Sequence, residues 1–482
     1  MVSPGERADF VVVANRLPVD RVVHDDGTDE WRTSPGGLVT AMEPVMRDRR
    51  GAWVGWPGEA GVSLEPFTTA CGLHLFPVTL DARDIRDYYE GFSNGTLWPI
   101  YHDVISEPAF HRSWWAAYRT VNERFAQATA DVAADGATVW VQDYQLQLVP
   151  ALLRELRPDL RIGWFNHIPF PPVELFAQLP WRTAVLRGLL GADFVGFQRS
   201  ADARNFLRAC RMVLGASSRG SVVTWQGSQD GLLGHAPRTV RAAPIPISID
   251  FSALESLAMS AEVTERAEAI RASLGNPRTV LLGVDRLDYT KGIRHRLRAV
   301  SELLADGAID PREVAVVQVA SPSRERVEAY RRLRSQVEAM VGRINGEYSD
   351  IGQTPVYYLH QAYPREEMAA MYQAADVMLV TPLRDGMNLV CKEYVTCRHD
   401  LGGALVLSEF AGASQELTSA YGCNPHDIVG LKRSILTALH DEPSARRRRM
   451  RAMRRRVRTH DVYAWADSYL QALAVAPEQP EP

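Results

Sequence analysis

At 482 residues the chain is long enough for two or three domains, and 46% apolar with 23% charged residues is the make-up of a globular protein with ample core. A net charge of −4 offers no basic field for nucleic acid. Five scattered cysteines (Cys71, Cys210, Cys391, Cys397 and Cys423) lack the spacing of a zinc site or a disulfide framework, which predicts a reduced, cytoplasmic setting.

The first apolar run, Phe10–Ala14, is too short for a signal segment or a membrane span and predicts a strand. Asn15 and Arg16 follow it. Further strands are predicted at Thr138–Val141, Arg161–Phe165 and Asp193–Phe197, with helices between them that include Trp114–Ala133 and Leu148–Leu156. Asp143, His167 and Gln198 each stand just past one of these strands. A second series is predicted at Thr279–Val284, Val314–Val319, Pro355–Leu359, Asp376–Thr381 and Ala404–Ser408. Alternation of this kind predicts an α/β protein with parallel sheets. The Pro-punctuated segment Ala243–Ile249 reads as a linker. The expected architecture is therefore two Rossmann-like, doubly wound domains facing across a cleft, residues 1–243 and 244–455. Residues 456–482 would form a helix and tail packing back on the first domain. Nine arginines between Arg446 and Arg458 predict a solvated helix face, with docking of an acidic partner as the alternative.

Two segments carry most of the chemistry. Arg286-Leu-Asp-Tyr-Thr-Lys291-Gly292 leaves the carboxyl end of a predicted strand, the edge where open α/β sheets bind ligands. Arg384-Asp-Gly-Met-Asn-Leu-Val-Cys-Lys-Glu393 leaves another and enters a predicted helix, whose first N–H groups suit phosphate. Two cations and a helix start can hold a diphosphate, and Glu393 can accept from a ribose diol. Together they predict a nucleotide-sugar site. The plainer reading makes Arg286 and Lys291 surface ion-pair formers; their place at a strand end argues against it. No D-x-D motif occurs, so the sequence demands no divalent ion, and no cofactor is expected.

The wider set of motifs resembles the trehalose-6-phosphate synthases, a family of retaining glycosyltransferases of the GT-B type. The matching pieces are Asn15-Arg-Leu-Pro18, Gly36-Gly-Leu38, Trp53-Val-Gly-Trp56, Tyr88-Tyr89 with Asn94 and Leu97-Trp-Pro99, Gln142-Asp-Tyr144, His167-Ile-Pro-Phe-Pro171 and Gly196-Phe-Gln198. They continue with Arg286–Gly292, Ser323-Arg324, Gly342–Gly346, Thr381–Glu393 and Glu409-Phe-Ala-Gly412, in the family's order. The resemblance implies transfer of glucose from an NDP-glucose to glucose 6-phosphate. Arg286, Lys291, Gly36, Gly37, Asp385, Gly386, Met387, Asn388, Leu389, Val390 and Glu393 would bind the donor. Arg16, Trp56, Tyr89, Trp98, Asp143, Gln198 and Arg324 would bind the acceptor, Arg16 and Arg324 at its phosphate. Asp143, His167, Arg286, Lys291 and Asp385 would be the catalytic set.

Without the resemblance, Tyr89 and Trp98 read as core aromatics and His167 as a satisfied core histidine. The family often has histidines flanking the Asp-Tyr pair; here Gln142 and Gln145 stand there, a departure that bears on acceptor preference. No carboxylate is marked as a nucleophile, which favours front-face substitution over double displacement. UDP-glucose and GDP-glucose both stay open as donors, and self-association is not readable. Two other readings fit the same composition less well. One is a pseudo-glycosyltransferase with a cyclitol acceptor, against which the glucose-binding motifs stand. The other is a non-catalytic sugar-phosphate sensor, against which the retained cations Arg16, Arg286, Lys291 and Arg324 stand.

Overall fold

The computed structural model describes residues 7–23, 29–33, 46, 51–69, 72–228, 237–475 and 477. The chain forms two compact units. One runs to Pro246 and resumes at Trp465; the other is Ile247–Ala464.

In the first unit the strands are β1 (Ala8–Arg16), β2 (Val19–Val23), β3 (Asp29–Thr33), β4 (Gly51–Trp56), β5 (Phe67–Thr68), β6 (His74–Pro77), β7 (Ala133–Gln142), β8 (Arg161–Asn166), β9 (Phe194–Phe197), β10 (Ser217–Arg219), β11 (Val222–Trp225) and β12 (Arg238–Pro244). Ten of them form one sheet in the order β10-β11-β12-β9-β8-β7-β1-β4-β6-β5, and β2 pairs with β3. From β12 to β6 all neighbours are parallel. Val11, Val12, Val13, Val139, Trp140 and Val141 are fully buried. Such continuous apolar runs are what a sheet covered on both faces requires. The strand order turns between β7 and β1, so Asp143 and Arg16 end up on the two sides of a switch point, where α/β sheets bind ligands. β4 closes tightly on the end of β1, because a Cβ at Gly55 would lie 2.7 Å from the carbonyl carbon of Arg16.

The second unit holds β13 (Thr279–Arg286), β14 (Val314–Ser321), β15 (Val356–Leu359), β16 (Val377–Val380), β17 (Ala404–Ser408) and β18 (Tyr421–Cys423), all parallel, in the order β15-β14-β13-β16-β17-β18. Its order turns between β13 and β16, the two strands that feed the Arg286 and Arg384 segments. A buried ion cluster lies along this sheet: Arg296 donates to Asp285 and Gln318, each at 2.7 Å, and to Thr381 at 3.2 Å. Gly283 makes room for it, since a Cβ there would meet the Arg296 guanidinium at 2.2 Å.

The helix Val462–Ala474 begins in the second unit and passes into the first at Trp465. Its Tyr469 ring stacks on Trp140 at 4.0 Å, and Trp465 donates to the Ile245 carbonyl at 3.1 Å. Gly163 and Gly196 admit it: a Cβ on either would fall within 2.7 Å of Tyr469. The arginine-rich helix Pro443–Thr459 is not the uniformly solvated face that its composition predicts. Arg454 is buried against Phe251 and donates to the Val395 and Thr396 carbonyls, and Arg456 donates to Glu416 at 3.0 Å. Arg447, Arg448, Arg451 and Arg455 do face solvent. Helical spacing explains the split, because Met450, Met453, Arg454 and Val457 share the inward face. Among the described residues no helix is long and apolar enough to cross a membrane.

Candidate active site

In the second unit, the segment after β13 is shaped by Asp288. Its carboxylate accepts from the Thr290 N–H at 3.0 Å and the Thr290 hydroxyl at 2.9 Å, an Asx turn that holds the short helix Tyr289–Lys291. The Asp288 side chain is fully buried. Burial alone would raise its pKa, but the nearby charges of Arg324, Arg286 and Lys291, with the Thr290 N–H, outweigh it and hold the group at about 2. Tyr330 adds a hydroxyl at 2.9 Å, and Arg324 donates to both Asp288 and Tyr330. Three of the predicted phosphate-binding cations therefore share one buried anion on one unit. Arg324 takes up a left-handed backbone (φ 50°) just past β14 to reach it.

The two signature segments are stitched together. The Leu383 N–H donates to the Thr290 carbonyl at 2.7 Å, and Lys291 Nζ lies 2.6 Å from Asp385 Oδ2. Gly292 is obligatory here: its φ is +66° and a Cβ would meet the Thr381 carbonyl at 1.9 Å. Asn388, also left-handed at φ 89°, caps the helix Leu389–Cys397 by accepting from Cys391 N–H, while its amide donates to Asp385 at 3.2 Å. The N–H groups of Leu389 and Val390 precede the first intrahelical bond, so the helix presents them outward. Gly386 and Met387 pass beside this start. The close approach is granted by Gly412, whose Cβ would strike the Gly386 carbonyl at 1.9 Å. Glu393 accepts from the Tyr372 hydroxyl at 2.8 Å; burial raises its pKa and that hydrogen bond opposes the shift. Lys392, a cation of the same motif, is turned inward to Glu416 and the Ile247 carbonyl.

The first unit is built differently. The helix Ile85–Leu97 is wide, and the Trp98 N–H that closes it donates to Ser93 O, five residues back. Two hydroxyls tie it to the strand ends: Tyr88 donates to Asn15 at 2.7 Å, and Tyr144 donates to Asn94 at 2.8 Å. It thereby sets Tyr89 beside Trp56, ring centroids 6.2 Å apart, and Trp98 against Tyr144. Trp98 is buried and stacked on His102 at 4.0 Å, so the core-aromatic reading describes its packing well. The Arg16 guanidinium lies 5.3 Å from the Trp56 ring centroid and donates to Asp20 at 2.9 Å. Gly58 leaves the space, because a Cβ there would be 2.4 Å from the Arg16 guanidinium. Gln198 is buried just past β9. Gly36 and Gly37 lie outside the described residues.

Asp143 is held at φ 69° after β7, and its Oδ1 accepts from the His167 N–H at 3.1 Å. The His167 ring packs at 4.7 Å from Phe165 and 6.2 Å from Trp465, and its Nε2 is 2.9 Å from Gln142 Oε1. Burial pushes its pKa down to about 3, so the ring is neutral at ordinary pH. Sequence reasoning missed Asp288, Tyr330 and the partnership of Gln142 with His167. The D-x-T pattern of an Asx turn was a signal for Asp288; nothing local marked the others.

Two units built on largely parallel sheets, one carrying clustered cations and a helix start at its switch point, match solved glycosyltransferases of the GT-B fold. The family model for glycosyltransferase family 20 matches residues 8–475. The chain belongs to that family. It is 59% identical over 474 residues to a trehalose-6-phosphate synthase of Mycolicibacterium vanbaalenii, covering 97% of this chain and 96% of that one. Among solved structures it resembles a UDP-forming α,α-trehalose-phosphate synthase from Burkholderia vietnamiensis (TM-score 0.87, 32% identity, 96% and 98% of the two chains). It also resembles one from Burkholderia xenovorans in complex with glucose-6-phosphate (TM-score 0.85, 33% identity, 96% and 99%).

Proposed function

We propose that the chain transfers glucose from a nucleoside diphosphate glucose to glucose 6-phosphate with retention, giving α,α-trehalose 6-phosphate and NDP. The observation that carries this reading is the gathering of Arg286, Lys291 and Arg324 around buried Asp288, next to the open start of the helix Leu389–Cys397. The identity to trehalose-6-phosphate synthases supports it, and so does the likeness to a structure in complex with glucose-6-phosphate.

In this reading Arg286, Lys291 and the N–H groups of Leu389 and Val390 receive the diphosphate. Charge placed in advance at a leaving group is usually the largest catalytic term. Asp385, Gly386, Met387 and Asn388 surround the donor glucose, and Glu393 takes the ribose. Arg16 and Arg324 take the acceptor's phosphate, Trp56, Tyr89 and Trp98 wall its pocket, and Asp143 and Gln198 bind its hydroxyls. The bond from the anomeric carbon to the diphosphate breaks as the acceptor hydroxyl oxygen bonds to that carbon from the same face. The hydroxyl proton goes to a diphosphate oxygen, so no carboxylate nucleophile is needed. His167, neutral, contacts the donor sugar. The chain's own cations do the work of a divalent ion, so turnover is expected to survive EDTA.

The test is a donor panel. Purified protein is incubated with UDP-glucose or GDP-glucose plus glucose 6-phosphate, and NDP release and product are followed. Release with at least one donor, dependent on glucose 6-phosphate, is expected; the same panel decides the base. No release with either donor would overturn the reading.

A further inference from the structure

We infer that Gln142 is a positioning residue for His167: it fixes which ring nitrogen carries the proton and so turns the other, Nδ1, into a hydrogen-bond acceptor for the donor sugar. The inference rests on the proposed reading of His167 as a donor-sugar contact, and it assigns a task to a position where this chain departs from the pattern it resembles.

The geometry is specific. Gln142 ends β7 and is 2% exposed, and its register partner on β8 is Phe165, two residues before His167. Its carbonyl Oε1 lies 2.9 Å from His167 Nε2. With the amide set this way its oxygen accepts, which places the hydrogen on His167 Nε2, and a neutral imidazole protonated there keeps its lone pair on Nδ1. Two rings flank the imidazole, Phe165 on β8 at 4.7 Å and Trp465 on the helix Val462–Ala474 at 6.2 Å. The backbone is pinned as well, because the His167 N–H donates to Asp143 Oδ1 at 3.1 Å. Among the described residues, the charged group hydrogen-bonded to His167 is Asp143, which accepts from its main-chain N–H; Phe165 and Trp465 present rings. A side chain without charge at position 142 keeps the imidazole neutral, as burial already favours. A carboxylate in its place would draw a second proton onto the ring and abolish the acceptor.

Three measurements test this. Nitrogen-15 shifts of histidine-labelled wild-type protein should show His167 neutral with the proton on Nε2 across pH 5–8. A proton on Nδ1 would overturn the inference without reference to turnover. Gln142→Leu should lower kcat with the active NDP-glucose by roughly 10- to 100-fold, as expected for a misoriented contact, with the KM for glucose 6-phosphate within about twofold of wild type. Gln142→Glu should add a titrating limb that wild type lacks, activity falling as pH is lowered and His167 becomes charged. A merely structural Gln142 would lower the melting temperature of both variants but leave the pH profile and the tautomer unchanged, and that result would refute the role. If wild type itself fails to turn over, the proposed function is at fault; if wild type turns over and both variants match it, this inference is at fault.

Discussion

The two switch points use opposite physics. In the second unit the chemistry is ionic: Asp288 is buried to hold cations in place, Lys291 is clamped to Asp385, and a helix start adds oriented dipoles. In the first unit aromatic packing and hydrogen bonds between uncharged groups predominate: tyrosine hydroxyls pin a wide helix through Asn15 and Asn94, and a glutamine meets a neutral histidine, with Arg16, paired to Asp20 beside an indole, and Asp143 as the charged groups at the strand ends. The contrast suits the proposed division of labour. A departing diphosphate needs charge fixed beforehand, whereas a sugar needs shaped walls and directional hydrogen bonds.

The contrast breaks most visibly at Lys291. Lys291→Ala removes a leaving-group cation and leaves Asp385 without its partner, so kcat should fall by about 10²–10³ in the donor-panel assay. A loss under tenfold would mean that the Lys291–Asp385 pair is structural. Arg286→Ala should weaken NDP binding by about 1.5–3 kcal/mol, one to two decades by calorimetry, with little change in the KM for glucose 6-phosphate. Arg324→Ala sharpens the comparison, since this cation shares Asp288 with the donor set yet is assigned to the acceptor. Its KM for glucose 6-phosphate should rise about tenfold while NDP affinity moves less, and equal effects on both ligands would erase the distinction. The smallest effect is a pH dependence of stability. The His167 pKa of about 3 lies below its unfolded value, so the unfolded chain binds the extra proton between those limits. His167 therefore contributes stability that is fully present above about pH 6.5 and is lost as pH falls toward 3. Between pH 6.5 and 4.5 the melting temperature of wild type should fall more steeply than that of His167→Gln.

Much of the fold was legible because buried parallel strands announce themselves as apolar runs. Val11–Val13, Val139–Val141 and Val314–Val319 needed no neighbours to be read. β4 and β12 were not. Gly51–Trp56 is buried by what surrounds it, and Arg238–Pro244 (RTVRAAP) has no regular polar–apolar alternation and ends in a Pro-rich stretch that reads as a linker. At the site, strand-end positions pointed to Arg16, Asp143, His167 and Arg286. Which side chains pair was not legible: Lys291 and Asp385 are both expected at the donor site, yet their ion pair spans 94 residues, and Gln142 meets His167 across 25. The arginine run misled for a related reason: composition alone does not say which arginine of a helix turns inward, and Arg454 does.

The helix that carries Trp465 and Tyr469 has a consequence for synthesis on the ribosome. The faces of β7 and β8 around Trp140, Gly163 and Phe165 are covered by residues made more than two hundred positions after Pro246. A nascent first unit therefore emerges with that apolar surface bare, and His167 waits for one of its two supporting rings until translation has passed Trp465.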